Sequence, residues 1–461
     1  MSLLRKMATY SLFSKFKQSL LDGERNYTEL RTMRKLRESK KKGFEGYSRV
    51  EEALGLFLDS YKNYGSLFSV EEHLLLSDAS NRVLAQDLRS SINIPRFNQS
   101  SMDGYAVLAE DTKEASIESP VRLKVIGKTL AGDREACRIK SGQSVSVATG
   151  AKIPAGSNAV VMVENTSIND NNTVKIFSKT NYGYNLLLEG TDIKKNQVIL
   201  TKGIWLTPQD IAIAASVGIR KIPVIRRPKV AIFSTGNELV APGLELKSNT
   251  QLFDSNTHML FSMVNEYGGE AVDLGICKDD KNAINSKIRL SLLYDMVVIS
   301  GGSSVGELDF VPEILSDLDK PGLLVHGIAM KPGSPTALGL AYGKPIISVP
   351  GFPVSAFFAM YTFGKPLLQL MLGTKGPPEN KGLAKMTEYT KVHLSMRTFL
   401  RVRLNEKRNS NGTFYYFACP IRSLGGSSLS SLKDSNGFVI VDNKKHLRKG
   451  EFVQVNILRN V

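Results

Sequence analysis

The sequence predicts a multidomain protein that combines an α/β domain with two β-rich parts. Strand-like and helix-like segments alternate from residue 227 to 375, which is typical of a parallel sheet covered by helices. Short alternating runs between Gly, Asn, Asp and Pro fill residues 107–184 and predict a β-rich inserted module. Short strands return in residues 376–461 and predict a small β-barrel-like domain.

The composition excludes several classes of protein. A chain of 461 residues has room for about three or four domains, and no apolar run reaches the roughly 18 residues of a membrane span. The cysteines Cys137, Cys277 and Cys419 are scattered, which argues against a disulfide framework and a zinc site. We therefore expect a cytoplasmic protein that does not enter a membrane.

The first 44 residues form a basic arm. Residues 1–42 contain 12 Lys/Arg and 4 Asp/Glu, so they carry +8 of the net charge of +16. The plain interpretation is a solvated arm; a tail that docks a partner or binds nucleic acid is the alternative, and nucleic acid is otherwise not expected. The acidic residues Asp22, Glu24 and Glu29 disfavour a mitochondrial presequence.

Helical patterns flank the β-rich module. Apolar residues at helical spacing predict a helix over Val50–Tyr64, and a second short helix is predicted to begin at Val70–Leu76. A third helix is predicted to start at Thr207-Pro208, where a hydroxyl cap precedes proline, and to stop at Gly218.

The central domain contains the segments with the clearest chemistry. Its strands KVAIFSTG, DMVVIS and KPIISVPG alternate with helices, of which the longest is PVSAFFAMYTFGKPLLQLML. The three strands end in loops over residues 235–238, 301–309 and 350–355, and a further loop covers residues 330–336. Because ligands of parallel α/β sheets bind at the carboxyl ends of the strands, we expect these loops to share one site.

The residue types in these loops favour an anion and a metal ion. Glycines allow backbone N–H groups to approach an oxyanion, and the hydroxyls of Ser303, Ser304 and Ser355 can donate hydrogen bonds to it. Hard oxygen donors, which suit Mg²⁺, are supplied by Glu238, Asp279, Asp280, Glu307 and Asp309. Each loop alone is more typical of a plain turn or a helix cap, but four together predict an anion and metal site. No Walker A or G-x-G-x-x-G pattern is present, which disfavours P-loop and Rossmann nucleotide sites.

A second chemically rich stretch, Phe97–Tyr105, lies before the β-rich module. Its Asp103-Gly104 pair is typical of a tight turn. The alternative interpretation is a loop that reaches into a site, including the site of a neighbouring subunit. The residues alone leave both interpretations open.

Ordered motifs from about Val50 to the C terminus resemble the molybdopterin molybdenumtransferase family, that is, the MoeA proteins and the gephyrin E domain. The matching segments are Gln99–Ala106 (N-S-A-M-D-G-Y-A), Thr149–Ala151 with Pro154 (T-G-A), Ser234–Leu239 (S-T-G-D/N-E-L), Ser255-Asn256 (S-N), Ser300–Asp309 (S-G-G-x-S-x-G-x-x-D), Lys331–Pro335 (K-P-G-x-P) and Pro350–Ala356 (P-G-x-P-x-S-A). The chain departs from many relatives at Ser334, where they have lysine, and at Phe352, where they have asparagine.

The resemblance implies a function and an architecture. The implied reaction joins molybdate to adenylylated molybdopterin, releases AMP, requires Mg²⁺ and yields the molybdenum cofactor. The implied protein is an elongated homodimer, and molybdopterin adenylyltransferase and the apoproteins of molybdenum enzymes are possible partners. The implied domains are an arm (1–44), a linking and dimerisation domain (45–106 with 185–226), the inserted module (107–184), a pterin-binding α/β domain (227–375) and the C-terminal β domain (376–461).

The resemblance also implies roles for individual residues. The carboxylates that would hold Mg²⁺ or orient the attacking water are Glu238, Asp279 and Asp309. The residues that would contact molybdate are Ser304, Lys331 and Ser427. The residues that would cradle the pterin and its phosphates are Thr235, Gly301, Gly302, Pro350, Pro353 and Ser355. Ser334 is a further ligand-binding residue, at a position where a positive charge is expected near molybdate. Asp103 and Thr149 would complete the site across the dimer interface.

Three rival interpretations remain. The adenylyltransferase that makes the substrate shares the α/β domain but lacks the M-D-G-Y-A module and the C-terminal domain. A gephyrin-like scaffold with little catalysis is the second rival, and a regulator that binds nucleic acid through the arm is the third. The sequence leaves open whether the inserted metal is molybdenum or tungsten.

Overall fold

The computed structural model describes residues 46–66, 68, 70–133, 137–169, 172–302, 310–408, 414–421 and 425–459. The predicted basic arm therefore lies outside the described residues. Contacts divide the chain into two compact units, Glu71–Val224 and a second unit that joins Ile225–Val461 to the residues up to Val70. The boundaries of the five predicted domains stay a prediction.

The helices begin and end close to the positions that capping patterns predict. Thr207 and Asp210 form a capping box at the start of the second helix, and Pro208 occupies its first turn. The α-helices are α1 (Val50–Tyr64), α2 (Pro208–Ser216), α3 (Asn256–Glu266), α4 (Lys281–Ser291), α5 (Val311–Leu318), α6 (Pro353–Ala359), α7 (Lys365–Leu372) and α8 (Leu429–Asp434). None of the helices in the described ranges combines the length and apolar character needed to cross a membrane.

The unit Glu71–Val224 contains the β-rich module. Its strands are β1 (Glu71–Leu75), β2 (Leu88–Arg89), β3 (Gln99–Ser100), β4 (Gly104–Val107), β5 (Val121–Thr129), β6 (Gln143–Val147), β7 (Ala159–Met162), β8 (Thr166–Asn169), β9 (Thr173–Ile176), β10 (Leu186–Leu187), β11 (Val198–Leu200) and β12 (Lys221–Ile225). Six strands form one sheet in the order β7-β4-β6-β5-β9-β8, which confirms the β-rich module. The helix predicted to begin at Val70–Leu76 is wrong, because residues Glu71–Leu75 form strand β1, which pairs with β12. The residues of β1 alternate between exposed and half-buried, as expected of a strand with one face in solvent.

The α/β domain is built on a mixed sheet. Its strands are β13 (Lys229–Thr235), β14 (Leu239–Val240), β15 (Leu252–Phe253), β16 (Glu270–Cys277), β17 (Met296–Ser300), β18 (Gly322–His326), β19 (Met330–Lys331), β20 (Ala337–Ala341) and β21 (Lys344–Val349). The order is β16-β13-β17-β21-β20-β18, and the first four strands are parallel. The sequence predicts a parallel sheet, but β20 and β18 run antiparallel to their neighbours. A two-residue turn, Tyr342-Gly343, with positive φ at both residues makes the β20–β21 hairpin.

Two helical elements cover one face of this sheet. Helix α1 packs on β18 and β20 and buries Phe57 completely in their core. Helices α6 and α7 are joined by a π-helical turn, Met360–Gly364, which confirms the long helix predicted from Pro353 onward. Pro366 has no backbone N–H and cannot donate a hydrogen bond to the preceding turn. The wider π-helical turn before it accommodates this missing hydrogen bond.

The C-terminal region closes into a small barrel. Its strands are β22 (Lys381–Met386), β23 (Thr390–Lys391), β24 (Arg397–Arg408), β25 (Phe414–Pro420), β26 (Gly437–Val441), β27 (His446–Leu447) and β28 (Phe452–Ile457). Strand β24 pairs with both β25 and β26, and β22 and β28 complete the ring. This confirms the predicted barrel. Strand β19 of the α/β domain pairs with β24, so the barrel holds the loop that carries Lys331.

Candidate functional site at the carboxyl edge of the α/β sheet

Four parallel strands end together at one edge of the sheet. Thr235 is in register with Cys277, and Ser234 is in register with Ser300, which in turn is in register with Val349. The loops that follow these strands therefore start side by side, as the sequence predicts. The edge brings together the loops that carry Thr235, Asp279, the Gly301-Gly302 pair and Pro350.

Asp279 is held in place by the neighbouring strand. One of its carboxylate oxygens accepts a hydrogen bond from the Thr235 hydroxyl at 2.8 Å, and the other accepts one from the Asn237 backbone N–H at 3.1 Å. The Asn237 side chain in turn accepts from the Asp279 backbone N–H at 3.3 Å. These bonds fix the carboxylate at the sheet edge and leave further lone pairs on each oxygen for a ligand.

Glu238 lies in the same loop. A Cβ atom at Gly236 would lie 2.9 Å from each of its carboxylate oxygens, so only glycine admits this arrangement without a shift. Asp280, predicted as an oxygen donor, instead caps helix α4 by accepting from the Ala283 backbone N–H at 2.8 Å. The third predicted metal ligand, Asp309, lies outside the described residues. Within the described ranges, no group of three His, Cys, Asp or Glu side chains is placed to hold a metal ion.

The Gly301-Gly302 pair allows β13 and β17 to approach each other. Both residues have positive φ, +94° at Gly301 and +62° at Gly302. A Cβ atom at Gly301 would lie 2.7 Å from the Thr235 carbonyl oxygen, and one at Gly302 would lie 3.0 Å from Val311. A side chain at Gly301 would therefore push this loop away from Thr235, and one at Gly302 would crowd Val311 at the start of α5. Ser303, Ser304 and Glu307 of the same loop lie outside the described residues.

The loop Pro350–Ser355 approaches the glycine pair from β21. A Cβ atom at Gly351 would lie 4.0 Å from the Cα atom of Gly301. Helix α6 starts at Pro353, and Ser355 in its first turn is buried, whereas Phe352 is exposed. The first turn of a helix presents unpaired N–H groups, which favour a negatively charged ligand.

The loop with Lys331 reaches the same place. A Cβ atom at Gly333 would lie 3.4 Å from the Ser355 carbonyl oxygen. Lys331 is exposed and Ser334 is half-buried, and the Ser334 carbonyl accepts a hydrogen bond from the Ile328 N–H at 2.8 Å. The loop therefore adds one cation, Lys331, beside the helix start.

The barrel adds a segment that the sequence analysis only partly anticipates. A Cβ atom at Gly426 would lie 2.4 Å from the Ser355 hydroxyl oxygen and 3.5 Å from the Phe352 Cβ. The single turn Gly425–Ser427 thus lies directly on the start of α6, and Ser427 is exposed beside it. Ser427 was predicted as a site residue. The sequence gives no sign of a role for Gly426, because Ser355, which it contacts, lies about 70 positions earlier in the chain.

Asn256 is a further residue at this edge for which the sequence predicts no role. It opens helix α3 and is buried, and its side-chain amide donates to the Ser300 hydroxyl at 2.9 Å and to the Gly351 carbonyl at 2.8 Å. It therefore links the loop after β17 to the loop after β21. The signal in the sequence was the Ser255-Asn256 motif.

The two remaining predicted residues lie in the other unit, next to each other. The Thr149 backbone N–H and hydroxyl both donate to one carboxylate oxygen of Asp103, at 2.7 and 3.1 Å. Both side chains are on the surface of this unit. Their predicted part in the site stays a prediction.

The edge offers no activated thiol nucleophile among the described residues. Cys277 is the only cysteine near the loops described above, and burial raises the pKa of its thiol above the ordinary value. A raised pKa keeps the thiol protonated at neutral pH. The glycine loops, the helix start and Lys331 suit binding and charge neutralisation of a phosphorylated ligand.

Comparison with known proteins gives consistent matches over most of the chain. Residues 48–218 match the MoeA N-terminal region (domain I and II), residues 231–370 match a probable molybdopterin binding domain, and residues 384–458 match the MoeA C-terminal region (domain IV). A molybdopterin molybdenumtransferase of Haemophilus influenzae is 33% identical over 83% of this chain and 93% of its own length. One of Bacillus subtilis is 32% identical over 84% of this chain and 90% of its own length. The solved structure of a molybdopterin biosynthesis moeA protein from Pyrococcus horikoshii OT3 is 31% identical, covers 89% of this chain and 100% of its own, and has a TM-score of 0.76.

Proposed function

The chain belongs to the MoeA family of molybdopterin molybdenumtransferases, and from this premise we propose that it joins molybdate to adenylylated molybdopterin with Mg²⁺-dependent release of AMP. Insertion of molybdenum during molybdenum cofactor biosynthesis follows from the family. The adenylylated substrate, the release of AMP and the requirement for Mg²⁺ are the proposal. The observation that carries it is the convergence of four glycine-containing loops and the turn of the barrel at one sheet edge.

The loops supply what a phosphoanhydride requires. Breaking that bond with water depends mainly on neutralising charge and on positioning the groups, because little covalent chemistry is left to the protein. The N–H groups around Gly301, Gly302 and the first turn of α6 favour the phosphate oxygens, and the Ser355 hydroxyl can donate to them. Asp279, fixed by Thr235, is suited to orient the attacking water.

The carboxylates fit a magnesium ion. Mg²⁺ in such sites is usually bound by one or two carboxylates together with substrate phosphates and water. Asp279 keeps free lone pairs on oxygens that are already positioned, and Glu238 lies in the same loop. We propose that these two residues, with Asp309, would hold the ion, which would neutralise charge on the phosphates when bound.

Molybdate is the second substrate. It is a dianion, so a cation and hydroxyl donors beside the phosphate region favour its binding. Lys331 and Ser427 are exposed in segments that contact the start of α6 through Gly333 and Gly426. We propose that they bind molybdate together with Ser304, and that Ser334 donates a hydrogen bond where many relatives have a lysine.

We also propose a cytoplasmic homodimer in which Asp103 and Thr149 serve the site of the other subunit. The family resemblance supports this homodimer. Asp103 and Thr149 would supply a carboxylate and a hydroxyl, which are already hydrogen-bonded to each other. Mixing a dimer inactivated at Asp103 with one inactivated at Asp279 tests the shared site. Recovery of activity in the mixed dimers is expected, and none would contradict a site built from two subunits.

Turnover tests the proposed function directly. The purified protein is incubated with adenylylated molybdopterin, Mg²⁺ and either molybdate or tungstate, and the metal-containing cofactor is measured. We expect cofactor to form, and the two rates decide which metal the enzyme uses. Binding of the substrate without any turnover would contradict the enzyme and favour a scaffold that docks the molecule.

A further inference from the structure

The side-chain nitrogen of Asn256 donates both of its hydrogens to neighbouring residues. Its two hydrogens go to the Ser300 hydroxyl at 2.9 Å and the Gly351 carbonyl at 2.8 Å. Ser300 is the last residue of β17 and Gly351 lies in the loop after β21, both at the sheet edge, and only 5% of Asn256 is exposed. The nitrogen therefore has no hydrogen left for a ligand, and the side chain cannot turn without losing both bonds.

The oxygen side of the same amide is different. Asn256 Oδ1 is buried, and no described residue donates a hydrogen bond to it. Buried polar atoms without a partner are uncommon in folded proteins, and each calls for an explanation such as a ligand or water. The hydroxyls of Thr257 and Ser234 do not supply a donor, because Thr257 donates to Asp254 at 2.6 Å and bonds to Ser234 at 2.8 Å.

The chemistry of the free atom selects the kind of group that it binds. An amide oxygen accepts hydrogen bonds and repels the oxygens of a phosphate or molybdate. In the adenylylated substrate the donors are the N–H groups of the pterin ring, the amino group of adenine and the hydroxyls of the ribose, whereas the phosphates and the dithiolene carry none at neutral pH. Separate measurement of AMP binding distinguishes the pterin from the adenosine. The amide that carries this oxygen bonds to Ser300 at the end of β17 and to Gly351 in the loop after β21, beside the glycines expected to hold the phosphates.

We propose that Asn256 is a substrate-binding residue whose Oδ1 accepts a hydrogen bond from an N–H of the pterin ring, while its Nδ2 holds the two loops in place. This inference rests on the proposed function and deepens it, because it names the part of the substrate that the residue recognises. The same side chain would then set both the shape of the site and the orientation of the ring.

Three variants test the proposal. Asn256→Leu keeps the size of the side chain but removes donor and acceptor, whereas Asn256→Asp keeps the acceptor and removes the donor. Asn265→Leu is the matched control, because Asn265 lies nine residues further along α3, about 13 Å away, and its amide oxygen accepts from Ala271 at 3.1 Å. Binding of molybdopterin and, separately, of AMP is measured by equilibrium dialysis under anaerobic conditions. Thermal unfolding shows whether each variant is folded.

We expect Asn256→Leu to weaken molybdopterin binding at least tenfold more than AMP binding, a difference of about 1.4 kcal/mol, because loss of the Nδ2 bonds loosens the loops for both ligands whereas loss of Oδ1 affects the pterin alone. Asn256→Asp should fall between wild type and Asn256→Leu, and Asn265→Leu should match wild type. Wild-type affinity in Asn256→Leu would overturn the proposal, as would an equal loss for both ligands or an Asp variant no better than the Leu variant. Should the Leu variant not fold, the Asp variant decides: a loss of molybdopterin affinity below tenfold supports the acceptor role, and a loss of tenfold or more overturns it. Failure of the wild-type protein to bind molybdopterin would instead refute the proposed function.

Discussion

Replacing Gly426 by alanine tests whether the C-terminal barrel completes the site. The added Cβ would lie 2.4 Å from the Ser355 hydroxyl oxygen, whereas non-bonded atoms usually stay about 3.5 Å apart. The two must therefore separate by about 1 Å, either by rotation of the Ser355 side chain or by a shift of the turn Gly425–Ser427. A misplacement of about 1 Å in a site can cost on the order of 100-fold in rate. We expect kcat/KM for AMP release to fall by about 10- to 100-fold.

The assay compares Gly426→Ala with a control that adds the same methyl group harmlessly. Gly55 lies inside α1 and a Cβ there has no atom within 4 Å, so Gly55→Ala should keep full activity and gain about 0.5–1 kcal/mol of stability. Ser355→Ala supplies a second check, because it removes the atom that clashes. The double variant Gly426→Ala/Ser355→Ala should then be no slower than Ser355→Ala alone. Wild-type kcat/KM in Gly426→Ala, or additive losses in the double variant, would refute this account of the contact.

Four further substitutions have expected outcomes. Asp279→Asn and Asp309→Asn should each lower AMP release at least 100-fold with an unchanged unfolding midpoint, and near-normal turnover would remove that residue from its role. Gly301→Ala should lower the free energy of unfolding by about 1–2 kcal/mol or more, because φ is +94° and the new Cβ meets a carbonyl oxygen. Gly373 also has positive φ, but no atom lies within 4 Å of an added Cβ, so in denaturant titrations Gly373→Ala should lower the free energy of unfolding by less. Hydrogen bonds from Lys365 and Lys381 lower the pKa of Glu379 below 4.5, so its stabilising contribution is present above that pH and is lost as the pH falls through the folded-state value. Glu379→Gln should therefore flatten the acid side of a plot of unfolding midpoint against pH, and an unchanged curve would contradict this.

Local patterns predict the strand ends well. A buried apolar run followed by glycine and hydroxyl residues, as at Ser300 and Gly301, marks both the end of a strand and a loop at the sheet edge. Parallel pairing of β13, β16, β17 and β21 then brings the loops together without further information. For this reason Thr235, Asp279 and Pro350 were found at one edge, as predicted.

Contacts between segments distant in sequence could not be predicted in the same way. Gly426 contacts Ser355 only because the barrel docks on the start of α6, and Asn256 joins two loops that lie about 45 and 95 residues further along the chain. The reversed strand β20, which pairs antiparallel with both β21 and β18, depends on the two-residue turn Tyr342-Gly343, which the periodicity does not show. Asp280 was predicted as an oxygen donor because the same residue type serves both as a ligand and as a helix cap.

The stoichiometry of the reaction tests the central claim most directly. AMP and cofactor-bound molybdenum are measured in the same reaction, with and without molybdate, after adenylylated molybdopterin and Mg²⁺ are added. If one site couples cleavage of the phosphoanhydride to insertion of the metal, AMP release should require molybdate and should match the cofactor formed, one for one. Release of AMP that is independent of molybdate, or cofactor that forms without AMP, would contradict the account.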